Sequence, residues 1–497
     1  MGGVEQSLDE ELEGMNGSVE MLHDVWQHGV ASKVNATALA GKDITLSIDQ
    51  RIQFAAEQIL EKHAQKHGCP RGSIVVMRPA TGDILAMASY PGFDPNEALP
   101  EGEAGKVQLR RRQNQAVSTP FEPGSVFKVI TLAAALEHTS LHPDSNIPCG
   151  GGVINLFGRR ITDLHHFSSL SMTDVLVHSS NIGAINIGLK VTDPVMYDVI
   201  RAFGFGRKTG LPLMEESPGR VRPLRRWIKS SIGSVAMGHE LMATTTQLAQ
   251  ACSTVANHGR LVKPRLVLKA ERPGLKPEYM APEAAVTVLS PESAMKLRLM
   301  MEQVVQRGTG TNAKVKGYSI GGKTGSAQIY DAEHKKYTNK HNVSFMGFAP
   351  VANPEIVIVV TLNGSTLLSS VTAVPAFQEI MSASLRILNI QKDVPFGTPE
   401  VIEKKPLTQD DLSIASLGGA RELLADDEED DAAAALRPVA GPVVPNFKGL
   451  TKRAVLEQSS AKGLRVEMEG RGIARKQIPA AGKVLAQGES IRVVFAR

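Results

Sequence analysis

Apolar and polar positions change period several times along this chain, and each change predicts an element. Asp43-Ile44-Thr45-Leu46-Ser47-Ile48-Asp49 alternates with period two, as a strand does. Over residues 50–64 the apolar Ile52, Ala55, Ala56 and Ile59 recur at helical spacing, and Asp49 stands where an N-cap belongs. Residues 73–77 and 84–88 are apolar runs flanking the turn sequence Pro79-Ala80-Thr81-Gly82-Asp83, which predicts a hairpin. One helix is predicted from Ser125 to Glu137, and others over residues 171–189, 244–257 and 293–305. Ala256-Asn257-His258-Gly259 is a stop signal for the third of these. Three strand-like runs follow at residues 318–328, 343–349 and 355–361. The last is β-branched through Ile356, Val357, Ile358, Val359 and Val360. A helix over about residues 375–388 closes the unit. Strands, a mostly helical middle, then strands and a final helix predict an α+β domain whose sheet unites both ends of the segment.

The flanks read differently. Residues 1–42 are polar, with only short apolar groups, and are too small to fold alone. Residues 393–442 hold four basic against twelve acidic residues, a net of −8, and include Asp426-Asp427-Glu428-Glu429-Asp430-Asp431. Such a run stays solvated and predicts a disordered linker. Residues 443–497 hold eleven basic against four acidic residues, a net of +7. They are patterned as a compact βαββ module, with its helix over residues 452–462 and a turn at Gly488-Glu489-Ser490. Four segments result: 1–42, the domain 43–392, the linker 393–442 and the module 443–497.

Composition changes this picture little. At 497 residues, 42 % apolar, the chain can bury a large core, and a net charge of +4 gives no argument for nucleic acid. Cys69, Cys149 and Cys252 are odd in number and widely spaced, so neither a disulfide framework nor a metal site is suggested. His165-His166 lacks a further ligand at helical spacing and is not read as a metal site. No run of 18 or more apolar residues occurs, and no signal-like segment opens the chain.

The candidate chemistry begins at Glu122-Pro123-Gly124-Ser125-Val126-Phe127-Lys128. Pro123 and Gly124 precede the helix, and Ser125 lies in its first turn, where unpaired N–H groups favour an oxyanion. A serine hydroxyl needs a base, and a lysine three residues on serves as one if its pKa falls. Ser-x-x-Lys alone is weak, since chains of this length contain it by chance. Ser179-Ser180-Asn181 and Lys323-Thr324-Gly325-Ser326 follow it, in that order. A second Lys-Thr-Gly, at Lys208, follows the glycine-punctuated Phe203-Gly204-Phe205-Gly206 and has no strand pattern, so it reads as a loop.

Ser-x-x-Lys, Ser-x-Asn and Lys-Thr-Gly in this order form the motif set of penicillin-binding proteins and serine β-lactamases. With residues 79–88, Glu122-Pro123-Gly124-Ser125, Ser179-Ser180-Asn181-Ile182-Gly183 and Gly322-Lys323-Thr324-Gly325, the chain resembles class B penicillin-binding proteins, peptidoglycan D,D-transpeptidases, over about residues 1–390. Val444-Pro445-Asn446-Phe447-Lys448-Gly449-Leu450 and Gln477-Ile478-Pro479-Ala480-Ala481-Gly482 resemble one PASTA domain. The resemblance implies an antiparallel sheet with helices on both faces and an all-helical subdomain. It implies Ser125 as the acylated nucleophile, Lys128 as its base, Ser179 as a proton relay supported by Lys323, and Asn181 as a hydrogen-bonding partner of the acyl chain. Thr324, Gly325 and Ser326 would meet the terminal carboxylate of a D-Ala-D-Ala stem or a β-lactam. The N–H groups of Ser125 and Ser326 would form the oxyanion hole. No cofactor or metal is implied. The expected partners are stem peptides, lipid-linked precursors, β-lactams and a membrane glycosyltransferase. The expected place is the bacterial cell envelope, outside the cytoplasmic membrane, in division or elongation. Family members carry an N-terminal membrane anchor and a long pedestal, and Met1-Gly2-Gly3-Val4 looks like a point well inside that pedestal.

Two rival readings share the residues. A β-lactamase or D,D-carboxypeptidase would pass the acyl group to water and needs a base for it, for which Glu215 and Glu216 are candidates by position. A non-catalytic binder would use the site as a β-lactam sensor, or the basic module as a wall anchor.

Overall fold

The computed structural model describes residues 3–394 apart from 95, 99, 332, 333 and 335. Beyond these it describes 444–448, 450, 455, 458, 459, 464, 466–470, 473–479 and 491–496. The hairpin predicted around residues 73–88 is present as β1 (Arg71–Met77) and β2 (Ile84–Tyr90). It joins three strands from the far end of the domain, β3 (Gly321–Asp331), β4 (Lys336–Ala349) and β5 (Ile356–Ser365). The order is β3-β4-β5-β1-β2, every pair antiparallel, with Val359 opposite Val75 where the two ends meet.

Both faces of this sheet are covered, which is why the apolar run in β5 is continuous instead of alternating. Ile74, Val76, Ile358 and Val360 pack on Ile52, Ala56 and Leu60 of α1 (Gln50–Lys66) and on residues such as Phe377 and Ile380 near the C-terminal end of the domain. Asp49 caps α1 by accepting the Arg51 N–H at 3.0 Å. Val75, Met77, Val357 and Val359 face the helical half of the domain. Every residue of the helix Thr245–Ala256 is buried on that side, and a capping box between Thr244 and Gln247 starts it. The helix predicted over 293–305 runs Pro291–Arg307, and the final one Ala373–Ile387.

Three expectations change. The strand Asp43–Leu46 pairs with Val267–Glu271, in a separate small sheet. Residues 18–36 form a hairpin, Ser18–His23 with Gly29–Ala36, whose Val19, Met21, Leu22 and Val34 are exposed. Asp393, counted above at the head of the linker, is tied to the domain: its carboxylate accepts the Ser319 N–H at 2.8 Å and the Ser319 hydroxyl.

The contacts divide the chain into two compact units, 1–420 and 421–497. The acidic run and the turn at 488–490 lie outside the described residues; of the helix expected over 452–462, Val455, Gln458 and Ser459 are described, and they are helical. The second unit has a core of Val444, Phe447, Val455, Ile491 and Val493. Its three described strands are β6 (Val466–Gly470), β7 (Ile473–Ile478) and β8 (Ile491–Ala496). β8 lies between the others, parallel to β6 and antiparallel to β7. All three follow the expected helix, and Val444–Phe447 before it forms no strand. Gln477 ties the module together, accepting the Phe447 N–H at 2.7 Å and donating to Pro445 O at 2.8 Å.

Candidate active site

The helix predicted from Ser125 starts instead as a 3₁₀ turn, Gly124–Phe127, and becomes α-helical at Lys128 in α2 (Lys128–His138). Side chains three apart eclipse in a 3₁₀ turn, so Ser125 and Lys128 share one side of it. Gly124 has φ +56°, a conformation that favours glycine, and a Cβ there would lie 3.0 Å from Ala327 Cβ, a tight contact. A helix start suggests a partly exposed serine, yet Ser125 is only 7 % exposed. The cause is β3, which crosses the turn closely. A side chain on Gly325 would meet Pro123 O and Val126 Cγ1 at 2.9 Å.

Residues 171–189 do not form one helix. They break into α3 (Met172–Val177) and α4 (Asn181–Val191), with Ser179 between them at φ +56°. A left-handed non-glycine residue costs on the order of 1 kcal/mol and persists only where its surroundings hold it. Ser180 caps α4 by accepting the Gly183 N–H at 2.9 Å. The Ser-Ser-Asn run before an apolar stretch is an ordinary N-cap signal and makes this break legible.

Lys128 is fully buried. Its Nζ donates to Asn181 Oδ1 at 2.7 Å, to Ser179 Oγ at 3.3 Å and to the Ser179 carbonyl. Lys323, on β3, is also fully buried, and its Nζ donates to Ser179 Oγ at 3.0 Å and Thr324 Oγ1 at 3.1 Å. One hydroxyl thus stands between two lysines from different motifs. The Thr324 hydroxyl pairs with Thr309 Oγ1 at 2.6 Å, and Ser326 Oγ accepts the Ser369 N–H at 3.2 Å. β3 is the end strand of its sheet, so the backbone edge away from β4 is not used in that sheet.

The second Lys-Thr-Gly is a loop, as expected. The Glu216 carboxylate is bound to the Thr209 N–H at 2.6 Å, the Thr209 hydroxyl and the Gly210 N–H at 3.3 Å. Glu216 is buried in this task.

Periodicity did not reveal the groups that brace these motifs. Asp163, 9 % exposed, accepts the Asn181 N–H at 2.6 Å, the Ile182 N–H at 3.2 Å and the Ser180 hydroxyl. Glu122 pairs with His239 Nδ1 at 3.1 Å and accepts the Glu240 N–H at 3.0 Å. Burial pushes the Glu122 carboxyl up, but His239 and the Glu240 N–H together outweigh it and hold the group below its usual range. Each brace joins residues far apart in sequence, so no local pattern announces it.

A buried serine and lysine on one turn, a second serine between two lysines, and an end strand beside them are thus gathered in one place. Comparison with known proteins gives the family. The profile of the penicillin-binding protein transpeptidase domain matches residues 72–382, and that of the PASTA domain residues 442–497. The penicillin-binding protein PbpB of Mycolicibacterium smegmatis is 34 % identical over 81 % of this chain, which spans 63 % of that relative's length. Stage V sporulation protein D of Bacillus subtilis is 31 % identical over 99 % of this chain and 71 % of its own. The crystal structure of penicillin-binding protein 3 from Mycobacterium tuberculosis, complexed with ampicillin, is 30 % identical with a TM-score of 0.72, covering 80 % of this chain and 87 % of that one. The chain belongs to the class B penicillin-binding proteins, the serine-type D,D-transpeptidases of peptidoglycan synthesis, and carries a PASTA domain. Among the described residues no helix is long and apolar enough to cross a membrane.

Proposed function

We propose that this chain cross-links peptidoglycan stem peptides through an ester on Ser125, and that β-lactams acylate the same oxygen. The convergence of Lys128 and Lys323 on the Ser179 hydroxyl, at 3.3 and 3.0 Å, carries this reading. Lys128, on the same turn as Ser125, is the base in this reading and takes the proton as a neutral amine. Ser125 Oγ adds to the carbonyl carbon of the penultimate D-Ala, and its proton passes to Lys128 Nζ. The oxyanion is met by the N–H groups of Ser125 and Ser326; losing one such donor typically costs about 100- to 1000-fold. The C–N bond then breaks, and the departing D-Ala amine takes a proton relayed through Ser179, with Lys323 holding the relay in place. Asn181 hydrogen-bonds the acyl chain, and Thr324, Gly325 and Ser326 line the place of the terminal carboxylate. An amine of a second stem attacks the ester, releases the cross-linked product and returns the proton to Ser125. In a β-lactam the broken bond lies in the ring, so the leaving group stays tethered.

Residues 43–392 form the catalytic domain in this reading, extended by Asp393 and its hold on Ser319, and 443–497 a separate module on an acidic spacer. The catalytic domain works outside the cytoplasmic membrane beside a membrane glycosyltransferase. Of the two carboxylates that the hydrolytic readings offered as a base, Glu216 is committed to Thr209 and Gly210, which leaves Glu215. The test is intact mass over time after mixing with benzylpenicillin. One stable adduct is expected; rapid loss of it would identify a β-lactamase, and no adduct would refute the acyl-enzyme.

A further inference from the structure

The braces around the second motif are unequal. Ser179 is the residue both lysines share, and it is held in a left-handed backbone conformation that serine seldom adopts. Within its own segment, the Ser180–Gly183 cap starts α4 but does not bind Ser179. The backbone is held locally as far as Ser180, by the Ser179 N–H on Leu176 O at 3.3 Å and the Ser180 N–H on Val175 O at 3.0 Å. The remaining hold comes from outside the segment: Asp163, which follows the strand Arg159–Thr162, takes the Ser180 hydroxyl on one oxygen and the Asn181 and Ile182 N–H groups on the other. The carboxylate occupies the N-terminal end of α4, where the helix leaves such N–H groups without partners of its own. Asn181 is then fixed at both ends, by Asp163 on its N–H and by Lys128 Nζ on its Oδ1 at 2.7 Å.

From this geometry we infer that Asp163 is a positioning residue for acylation: its carboxylate sets the Ser179 hydroxyl and the Asn181 amide at the distances Lys128 and Lys323 need. It touches neither substrate nor nucleophile and acts through residues 180–182. This rests on the acyl-enzyme reading above, which the Ser125 adduct tests separately. A serine relay displaced by about 1 Å costs on the order of 100-fold in a chemical step while leaving initial binding largely intact. Asparagine keeps a carbonyl oxygen that can accept both N–H groups and loses only the acceptor for Ser180; alanine loses all three contacts.

The experiment measures acylation of the full chain by benzylpenicillin over a concentration series, which separates the initial dissociation constant from the acylation rate at saturation. Asp163→Ala is expected to lower the saturating rate about 100-fold, with the dissociation constant within about threefold of the parent. Asp163→Asn is expected to recover much of that rate. Melting curves identify the folded fraction, and rates are referred to it. A saturating rate in Asp163→Ala within about threefold of the parent would overturn the inference. So would a weakened dissociation constant that accounts for the whole loss, or no recovery in a folded Asp163→Asn. If Asp163→Ala does not fold, Asp163→Asn decides alone: a rate equal to the parent with an unchanged pH profile overturns the role of the Ser180 contact, and a slower saturating rate at unchanged binding supports it.

Discussion

Lys-Thr-Gly occurs twice in this chain, and the two copies share nothing but their letters. At 323–325 the triplet lies on an end strand: the lysine is fully buried, its Nζ reaches Ser179 Oγ, and the glycine lets the strand cross the Ser125 turn. At 208–210 it lies in a loop, where the lysine is exposed and the threonine and glycine N–H groups close on Glu216. In the first copy the backbone aims a cation at a hydroxyl. In the second a carboxylate satisfies a backbone that would otherwise bury unpaired donors. A short motif is therefore a claim about the backbone beneath it, and flanking period is what separates the two.

The most severe way to break this contrast is to remove the proposed nucleophile. Ser125→Ala should abolish covalent penicillin labelling in intact-mass measurements while the fold persists; an adduct surviving in the variant would mean that neither triplet has been placed against the reacting serine. Next comes the contrast itself. Lys323→Ala should slow acylation by about 100-fold or more, the scale of a lost electrostatic or proton-transfer group, while Lys208→Ala should stay within about twofold. Equal losses at the two positions would erase the distinction.

A smaller effect sharpens the structural role of the second copy. Glu216→Ala leaves the donors of the buried Thr209 unpaired and should destabilise the domain by about 1–3 kcal/mol in denaturant melts. The folded fraction should acylate and deacylate as the parent does. Slower deacylation instead would revive the hydrolytic reading. The smallest effect concerns Glu122, the carboxylate that clasps the nucleophile turn much as Glu216 clasps its loop. Burial raises its pKa, but His239 and the Glu240 N–H more than offset this, so the folded value lies below the unfolded one. Its contribution to stability is then present above the ordinary carboxylate range, near about 4.3, and is lost as pH falls through the folded value. The melting temperature of the parent should accordingly exceed that of Glu122→Gln near neutrality, and the gap should narrow below about pH 4. A gap that widens on acidification would reverse the sign assigned to this pair.

Much of the molecule was readable from order alone, and the reasons are local. The hairpin around 73–88 has its turn residues between two apolar runs, and the helix from residue 50 has its cap and its apolar stripe, so neighbours in sequence carry the information. The triplet at 323 was separable from that at 208 because β-patterned runs follow only the first. The Ser-Ser-Asn helix start was legible too, although the longer helical period around it masked the break.

Other features were settled only when the sheet closed on itself. The burial of Ser125 depends on β3 arriving 200 residues later in the chain. The residues after the left-handed Ser179 meet Asp163, which comes from a loop well before them in the chain. Glu122 found His239, and Thr324 found Thr309, across stretches with no common period. Sequence determines the secondary elements and the chemical groups, since propensity and capping act over a few residues. Which groups become buried, paired or strained is decided by packing, because burial removes water as the alternative partner and makes each distant contact obligatory.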